Sequence, residues 1–319
     1  MSYRELPQVK GVDFDIYTQI SKRPRSFLDL QVGDRCNFKC VYCFTGAGEE
    51  VRGLAEQYRH RTSKIANLLT ADEHVGLLDI ARKSGIKNLV ISSEGENTLY
   101  EAQLLEVIRY AGDSGFSIAM FTNGSKIDGK LARKFNDNRI TLIAKLNSLN
   151  PTKNSIISGC SDNGYTYAEL NGMLVPDYIH RLKDAGYSSD HFALNMVINS
   201  ANQDELLDFW SWAREPSTGI MPFGEFLEPT GFVKGHDELK VSPGRMTELK
   251  KSVRKLDHSL GHQYDELPES TRLLDMRFLI NPFVVVVDSR GFVKDLAANF
   301  DLDSVHGNVR DIDLEQILR

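Results

Sequence analysis

Predicted β-strands and α-helices alternate along this chain after residue 25, and this alternation restricts the fold more than any other feature. Strands are predicted at Phe27–Val32, Lys87–Ser92, Ser117–Thr122, Ile140–Leu146, His191–Ile198 and Ile220–Leu227. Helices are predicted from Thr70, at Glu101–Ser114, from Asp128, at Ala168–Ala185 and from Gln203. Such alternation favours an α/β fold whose parallel sheet is open or closed into part of a barrel.

The residue pattern within the strands predicts one apolar and one polar face of the sheet. Leu28 and Leu30 share one side of the first strand, and Asp29 lies on the other. A parallel sheet covered on both faces would be apolar on both. We therefore expect helices to cover the apolar face, and the polar face to line a cavity. Lys145 and Asn195 are predicted on that polar face.

Composition and charge exclude several classes of protein. The 319 residues carry a formal net charge of −6. Broad nucleic-acid binding needs a basic surface, so this net charge argues against it. The chain has no apolar run of about 18 residues, the minimum for a membrane span, and its first residues lack a signal-peptide core. We expect a soluble, cytoplasmic protein that binds neither nucleic acid nor membrane.

Three of the four cysteines form a C-x₃-C-x₂-C array, Cys36, Cys40 and Cys43. The array follows the first predicted strand, and open α/β sheets bind ligands at the carboxyl ends of their strands. Thiolates are the ligands of iron–sulfur clusters, and three thiolates on a four-iron cube leave one iron open. A structural zinc ion needs a fourth ligand. The nearest histidines, His60 and His74, do not lie at short spacing from the cysteines and so supply no obvious fourth zinc ligand. An iron–sulfur cluster is therefore the preferred interpretation.

The array, with Tyr42 directly before its third cysteine, resembles the signature of the radical S-adenosylmethionine (radical SAM) superfamily over about residues 25–230. The resemblance implies a partial (β/α)₆ radical SAM barrel, a 4Fe–4S cluster on the three cysteines, and S-adenosylmethionine as second cofactor. It also implies an electron donor such as flavodoxin or ferredoxin, and a 5′-deoxyadenosyl radical that abstracts hydrogen from the substrate. A non-catalytic metal-binding protein remains the alternative.

The loop after the second predicted strand partly matches the Gly-Gly-Glu-Pro loop of this superfamily. Gly95 and Glu96 match, whereas Glu94 stands in place of the first glycine and Asn97 in place of the proline. In the family this loop receives the methionine ammonium, and a carboxylate suits that role. The resemblance thus implies that Gly95 and Glu96 bind S-adenosylmethionine. A solvated carboxylate at a helix start is the alternative for Glu96.

The resemblance implies further cofactor contacts near the ends of other strands. The residues concerned are Tyr42, Thr122, Asn123, Asn147, Ser148, Asn195 and Val197. Thr122 and Asn123 belong to a Thr-Asn-Gly sequence that lies beside the cofactor in family members, and the fifth strand usually meets the adenosine. Asn-Gly is also a common turn, and polar strand ends also serve as caps, so both interpretations stay open.

Four residues are candidates for contact with the substrate. Lys145 could bind a carboxylate or phosphate, or act as acid or base, and an ion pair with Asp29 or a glutamate is the alternative. Cys160 could donate hydrogen to a substrate radical, or be an ordinary thiol. Glu225 and Glu228 end the sixth strand as candidate substrate ligands. Their spacing places them on opposite faces, so at most one should point inward.

The pattern changes after residue 230. A helix is predicted at Pro243–Leu256, and a hairpin is predicted from Phe283–Asp288 and Phe292–Leu296. The hairpin and the last helix resemble the SPASM/twitch extension of some family members, without its cysteines. We therefore expect an N-terminal segment (1–24), a radical SAM barrel (25–230) and a degenerate twitch-like extension of small α+β type (231–319).

Substrate and reaction are constrained less strongly. No cysteine for an auxiliary cluster follows Cys160, which favours a redox-neutral epimerisation, rearrangement, elimination or decarboxylation. Only about 25 residues precede the first strand, fewer than the small recognition domain that peptide-modifying relatives often add. We expect a small polar metabolite: a sugar, nucleoside, aminoglycoside or amino acid. A peptide-modifying radical SAM enzyme is the second interpretation.

Overall fold

The computed structural model describes residues 27–45, 54–92, 94–160, 164–227, 236–261, 284–295 and 305–318. In chain order, strands β1 to β11 are Phe27–Gln31, Asn88–Ser92, Ser117–Thr122, Thr141–Lys145, Tyr167–Leu170, Met173–Pro176, Phe192–Ile198, Met221–Phe226, Val284–Val287, Phe292–Lys294 and Gly307–Asn308. Helices α1 to α9 are Leu54–Ile65, Ala71–Lys83, Glu101–Asp113, Gly129–Asp137, Pro151–Ser158, Tyr178–Asp184, Leu206–Arg214, Pro243–Ser259 and Leu314–Leu318.

Within these ranges, nine strands form one sheet in the order β11-β10-β9-β1-β2-β3-β4-β7-β8. The strands from β9 to β8 are parallel, while β10 and β11 run antiparallel to their neighbours. The predicted parallel α/β sheet is therefore confirmed, and the six predicted barrel strands are β1, β2, β3, β4, β7 and β8. The capping box of Thr70 and Glu73 also forms, at the start of α2.

The predicted C-terminal hairpin forms as β9 and β10, but it is not separate from the main sheet. β9 pairs in parallel with β1, so that Asp29 lies opposite Val286. The strands assigned from sequence to an extension thus continue the sheet that carries the cysteine array. A division of the chain near residue 230 remains a prediction.

The helix predicted at Ala168–Ala185 is wrong in its first half. Tyr167–Leu170 and Met173–Pro176 instead pair as a two-stranded antiparallel hairpin, and only Tyr178–Asp184 is helical. Asn171 and Gly172 form the hairpin turn with φ of 49° and 75°. Asn-Gly is the preferred pair for a two-residue turn that needs positive φ at both positions, and this signal was overlooked. Helices α1 and α5 were also not predicted.

The predicted division of the sheet into two faces is confirmed, with one addition. Leu28 and Leu30 belong to a large core that also contains the buried faces of α2, α3 and α7. The opposite face begins with a small apolar layer that includes Phe27 and Ile143. Its polar residues follow toward the carboxyl ends of the strands, where Lys145 lies. The polar groups therefore gather at the end of the sheet that carries the cysteines.

No helix in the described ranges is both long enough and apolar enough to cross a lipid bilayer.

Candidate cofactor-binding site

The cysteine array lies on a loop that directly follows β1, called here the cysteine loop (residues 33–45). Tyr100 fixes its beginning. The Tyr100 hydroxyl accepts hydrogen bonds from the backbone nitrogens of Asp34 and Arg35, at 3.3 and 3.1 Å, and donates one to Asp34 Oδ1 at 2.9 Å. A Cβ on Gly33 would lie 2.0 Å from the Tyr100 ring, so only glycine fits there.

The end of α5 holds the middle of the cysteine loop. The backbone nitrogens of Lys39 and Val41 donate to the carbonyl oxygens of Ser158 and Ile157, at 3.2 and 3.0 Å. Gly159 ends this helix with φ of +54°, and a Cβ there would lie 2.0 Å from the Lys39 carbonyl oxygen. The Tyr100 side chain and the end of α5 thus both order the segment that carries the three thiols.

The three thiols are half-buried and hydrogen-bonded. Cys36 Sγ accepts a hydrogen bond from the Phe38 nitrogen at 3.4 Å, and Cys43 Sγ lies 3.2 Å from Thr45 Oγ1. Burial raises the pKa of the Cys36 thiol to about 12 and that of Cys40 further still. Binding of a metal cluster to Cys36 and Cys40 must therefore release protons.

The donor set fits an iron–sulfur cluster better than a single metal ion. Among the described residues, no three His, Cys, Asp or Glu side chains converge as one tetrahedral ion would require. A four-iron cube places each thiolate on a different iron, so its ligands need not converge on one point. Cys36, Cys40 and Cys43 would hold such a cluster, and the zinc alternative gains no support from this geometry.

A second loop, the Glu94 loop (residues 94–98), packs directly on the cysteine loop. The Glu96 nitrogen donates to the Arg35 carbonyl oxygen at 2.7 Å. A Cβ on Gly95 would lie only 1.9 Å from that same oxygen. Gly95 is thus required for the close approach of two loops. Contact between the Gly95 backbone and S-adenosylmethionine stays a prediction.

Glu96 joins the predicted cofactor residues Thr122 and Asn123 in one buried network. Glu96 Oε1 accepts hydrogen bonds from the Thr98 nitrogen at 3.1 Å and from Thr122 Oγ1 at 2.7 Å. Glu96 Oε2 accepts one from the Asn123 nitrogen at 2.6 Å. Asn123 Nδ2 in turn donates to Asn37 Oδ1 at 3.0 Å, within the cysteine loop. Since each carboxylate oxygen has two lone-pair sites, Oε2 keeps capacity for an ammonium.

Tyr42, Asn147 and Val197 also meet, next to Cys40. Asn147 Nδ2 donates to the Tyr42 hydroxyl at 2.8 Å, and the Val197 nitrogen donates to Asn147 Oδ1 at 3.3 Å. Tyr42 and Val197 pack with Ile157 and Leu227 in a small apolar cluster next to Cys40. The ends of β4 and β7 are thereby fixed beside the second cysteine.

Ser148 lies apart from this group. Its hydroxyl donates to Glu205 and accepts a hydrogen bond from the Asn150 nitrogen at 3.0 Å, at the start of α5. Its described contacts are therefore those of a helix start, and a role in cofactor binding stays a prediction.

Lys145, Asn195 and Glu225 come together on the polar face of the sheet, on β4, β7 and β8. Lys145 Nζ lies 2.9 Å from Glu225 Oε1 and also donates to Asn195 Oδ1. The ammonium lies 5.6 Å from the centre of the Phe121 ring. The Lys145 and Glu225 side chains are 22% and 20% exposed, so solvent reaches the pair. The expected ion pair with a glutamate exists, while Glu228 lies outside the described residues.

Cys160 is buried near the end of α5. Its Sγ lies 3.9 Å from the Ser155 carbonyl oxygen, and Gly164 packs against it. The structure does not bring it into the group of Lys145, and its role as hydrogen donor stays a prediction.

A buried charged cluster was missed by sequence reasoning. Lys294, fully buried on β10, lies 3.5 Å from Glu94 Oε1 and 3.2 Å from Asp288 Oδ2. The Tyr58 hydroxyl donates to Asp288 Oδ2 at 2.6 Å. One signal was present: a glutamate stands where the family loop has glycine, and a buried glutamate needs a cation.

Comparison with known proteins agrees with this geometry. The sequence profile of the Radical SAM superfamily matches residues 30–163, which contain both loops. The chain therefore contains a radical SAM domain over residues 30–163. Members are enzymes that use a 4Fe–4S cluster and S-adenosylmethionine, and the three thiols beside the buried Glu96 network fit both groups.

Curated radical SAM relatives include enzymes named for work on nucleotides. A GTP 3′,8-cyclase of Marinobacter nauticus is 29% identical over 215 residues, which are 65% of this chain and 57% of the relative. An S-adenosylmethionine-dependent nucleotide dehydratase of Selenomonas ruminantium is 24% identical, over 56% of this chain and 58% of the relative. The match thus spans somewhat more than half of each of these relatives.

Solved structures show the same fold. Streptococcus suis SuiB bound to precursor peptide SuiA superposes with a TM-score of 0.65, over 92% of this chain and 64% of that chain, at 16% identity. Native anSMEcpe with bound AdoMet superposes with a TM-score of 0.60, over 92% of this chain and 80% of that chain, at 16% identity. At such low identity these structures support the radical SAM fold alone.

Proposed function

We propose that this protein holds a 4Fe–4S cluster on Cys36, Cys40 and Cys43 and uses it to cleave S-adenosylmethionine reductively. The observation that carries the proposal is the packing of the Glu94 loop on the cysteine loop. It brings the buried Glu96 carboxylate and the three thiols to one end of the sheet. When bound, the two cofactors supply a 5′-deoxyadenosyl radical that abstracts hydrogen from the substrate.

The protein's own residues orient the cofactor. Glu96, held by Thr122 and the Asn123 nitrogen, offers Oε2 to the methionine ammonium. A carboxylate already fixed by protein donors loses little freedom when it binds a cation, which favours affinity. The apolar cluster of Tyr42 and Val197 offers a dry surface for the adenine.

The substrate is proposed to be a small polar metabolite bound beside Lys145. Lys145, Asn195 and Glu225 present an ammonium, an amide and a carboxylate within hydrogen-bonding distance of one another. Such a group can bind a carboxylate, phosphate or hydroxyl while keeping its own charges paired. The nucleotide enzymes among the relatives support a nucleoside or nucleotide within this class.

The remaining expectations complete the proposal. We infer a redox-neutral reaction, since the 319 residues contain no cysteine after Cys160 for an auxiliary cluster. A flavodoxin or ferredoxin in the cytoplasm would supply the electron. A redox-neutral enzyme that regenerates its cofactor would form less 5′-deoxyadenosine than product, and one that consumes it would form equal amounts.

Anaerobic reconstitution with iron and sulfide, followed by dithionite and S-adenosylmethionine, tests the proposed chemistry. We expect a brown protein that forms 5′-deoxyadenosine, and a Cys40→Ala variant that forms none. A colourless zinc protein, or a Cys40→Ala variant as active as the wild type, would refute the proposal.

A second experiment tests the substrate class. Fractions of a metabolite extract and a set of nucleosides and nucleotides are added to the reconstituted enzyme, and 5′-deoxyadenosine is measured by chromatography. We expect stimulation by a fraction of small polar molecules. Stimulation by peptide fractions alone would contradict the metabolite proposal and favour a peptide-modifying enzyme.

A further inference from the structure

The C-terminal hairpin β9–β10 contacts both loops of the candidate site through charged side chains. Arg290 lies in the turn of the hairpin, and Lys294 lies on β10. Arg290 reaches the cysteine loop and Lys294 reaches the Glu94 loop. The two loops are therefore held by one element that follows their contact residues by 256 and 200 positions in the chain.

Arg290 binds the first residues of the cysteine loop. Its Nη2 lies 2.8 Å from Asp34 Oδ2, and its Nη1 donates to the Ala66 carbonyl oxygen at 2.9 Å. Both charged side chains are 15% exposed, so water screens the pair only weakly. Asp34 also accepts from Tyr100, which fixes both of its carboxylate oxygens two residues before Cys36.

Lys294 binds the Glu94 loop. Its fully buried ammonium contacts Glu94 Oε1 and lies 4.2 Å from the centre of the Tyr58 ring. Ser289, in the hairpin turn, donates to the other carboxylate oxygen of Glu94 at 2.8 Å. Two groups of the hairpin thus fix the two oxygens of one side chain.

The backbone of Glu94 passes this restraint on to the cysteines. Its carbonyl oxygen accepts a hydrogen bond from Thr45 Oγ1 at 2.6 Å, and that hydroxyl lies 3.2 Å from Cys43 Sγ. The next residue, Gly95, is pressed against the Arg35 carbonyl oxygen. A shift of Glu94 would therefore move Thr45, which contacts Cys43. It would also disturb the contact of Gly95 with Arg35, the residue directly before Cys36.

We propose that Arg290 and Lys294 are positioning residues, and that the hairpin β9–β10 sets the geometry of the cofactor site by holding the cysteine loop and the Glu94 loop in place. A buried carboxylate that loses its cation must move, take up a proton or find other donors. Each of these outcomes would loosen the Glu94 loop. The part of this inference that concerns S-adenosylmethionine rests on the proposed function.

Hydrogen exchange of the reconstituted protein measures the positioning without any ligand. The reporter amides are those of Asp34, Arg35, Glu96 and Thr98, because each donates a hydrogen bond that fixes one of the two loops. In Lys294→Met we expect the Glu96 and Thr98 amides to exchange roughly tenfold faster or more. In Arg290→Met we expect the same of the Asp34 and Arg35 amides.

Three further variants separate positioning from general stability. Arg245→Met, at the start of α8 and outside the hairpin, breaks an ion pair with Asp204 and should leave the reporter amides unchanged. The double variant Lys294→Met with Glu94→Gln removes the charges of Lys294 and Glu94, while Asp288 keeps its hydrogen bond from Tyr58, and should restore part of the protection. If Lys294→Met does not fold, Ser289→Ala removes a neutral donor from Glu94 and should accelerate the same amides.

Binding of S-adenosylmethionine, measured by isothermal titration, gives a second result. Lys294→Met should raise the Kd roughly tenfold at unchanged iron content, since a looser Glu96 binds the ammonium less well.

Wild-type exchange rates at the reporter amides in Lys294→Met, or in Ser289→Ala if it is needed, would overturn the inference. Amide exchange in α4 and α8 that accelerated as much as at the reporter amides would also overturn it. Such a result would show that Lys294 stabilises the whole fold and does not specifically position the two loops. A wild-type protein that binds no S-adenosylmethionine would refute the proposed function and leave the exchange result standing.

Discussion

Gly95 lies so close to Arg35 that a Cβ on Gly95 would stand 1.9 Å from the Arg35 carbonyl oxygen. Because the obstacle is backbone, a Gly95→Ala substitution must push the Glu94 loop away from the cysteine loop. We expect a loss of about 1–3 kcal/mol in the free energy of unfolding, the usual cost of overpacking, and a lower iron content after reconstitution. Urea titration and iron analysis measure both.

The matched control is Gly76→Ala in α2. A Cβ at Gly76 would meet nothing within 4 Å. Alanine is the better helix former, so this variant should keep its iron and gain up to about 1 kcal/mol. If Gly95→Ala behaved like Gly76→Ala, the close contact of the two loops would not matter for cluster binding.

Removal of the Glu96 charge should weaken S-adenosylmethionine binding more than cluster binding. In Glu96→Gln, an amide nitrogen at the position of Oε2 would face the Asn123 nitrogen, which now donates to that oxygen at 2.6 Å. Loss of one charge-assisted hydrogen bond costs about 1.5–3 kcal/mol, so the Kd should rise roughly 10- to 100-fold. Titration calorimetry on reconstituted protein measures this.

Glu101→Gln serves as the control for this substitution, since Glu101 forms an exposed pair with Lys134. It should change neither iron content nor affinity. A Glu96→Gln variant with wild-type affinity would remove Glu96 from the cofactor site.

Asp29 should make stability depend on pH. Burial raises the pKa of this carboxyl from 3.8 to about 6, although Ser92 donates two hydrogen bonds to it. Between these values the folded protein keeps a proton that the unfolded chain has lost, so stability falls as pH rises through this window. The loss approaches about 3 kcal/mol, at about 1.4 kcal/mol per unit.

An Asp29→Asn variant lacks this titration and keeps partners for Ser92. Urea unfolding from about pH 4 to pH 7 should therefore give it a flatter stability profile than the wild type. Parallel profiles of the two proteins would show that Asp29 titrates at its ordinary value.

Lys145→Met should impair use of the substrate while leaving the cofactors bound. The variant removes the ammonium from Glu225 and Asn195 but keeps an apolar chain beside Phe121. We expect KM for the stimulating metabolite to rise roughly 10- to 100-fold, the effect of a lost charged hydrogen bond, with unchanged affinity for S-adenosylmethionine. Lys153→Met, which breaks the pair with Glu205, is the control. An unchanged KM would place the substrate elsewhere.

The sequence predicts those parts of the site that depend on local spacing. Cys36, Cys40 and Cys43 share one short loop, Glu96 follows a strand, and Thr122 ends the next one. Parallel strands bring such loops to one edge of the sheet, so their meeting could be expected. The Asn171 turn was also readable, and the helix predicted across it was an error of interpretation.

Contacts between distant residues could not be predicted in this way. Glu94 and Lys294 are 200 positions apart, and no periodicity links them. Their pairing depends on β9 taking its place next to β1, which a single sequence does not specify. Buried ion pairs of this kind need the three-dimensional fold before either partner can be recognised.

Electron paramagnetic resonance of the reduced, reconstituted protein tests the central claim most directly, because only an open iron can bind S-adenosylmethionine. We expect a 4Fe–4S signal from the wild type that changes when S-adenosylmethionine is added, and no such signal when Cys36, Cys40 or Cys43 is replaced by alanine. A cluster signal that ignores S-adenosylmethionine, or a protein that binds zinc and gives no signal, would contradict the account.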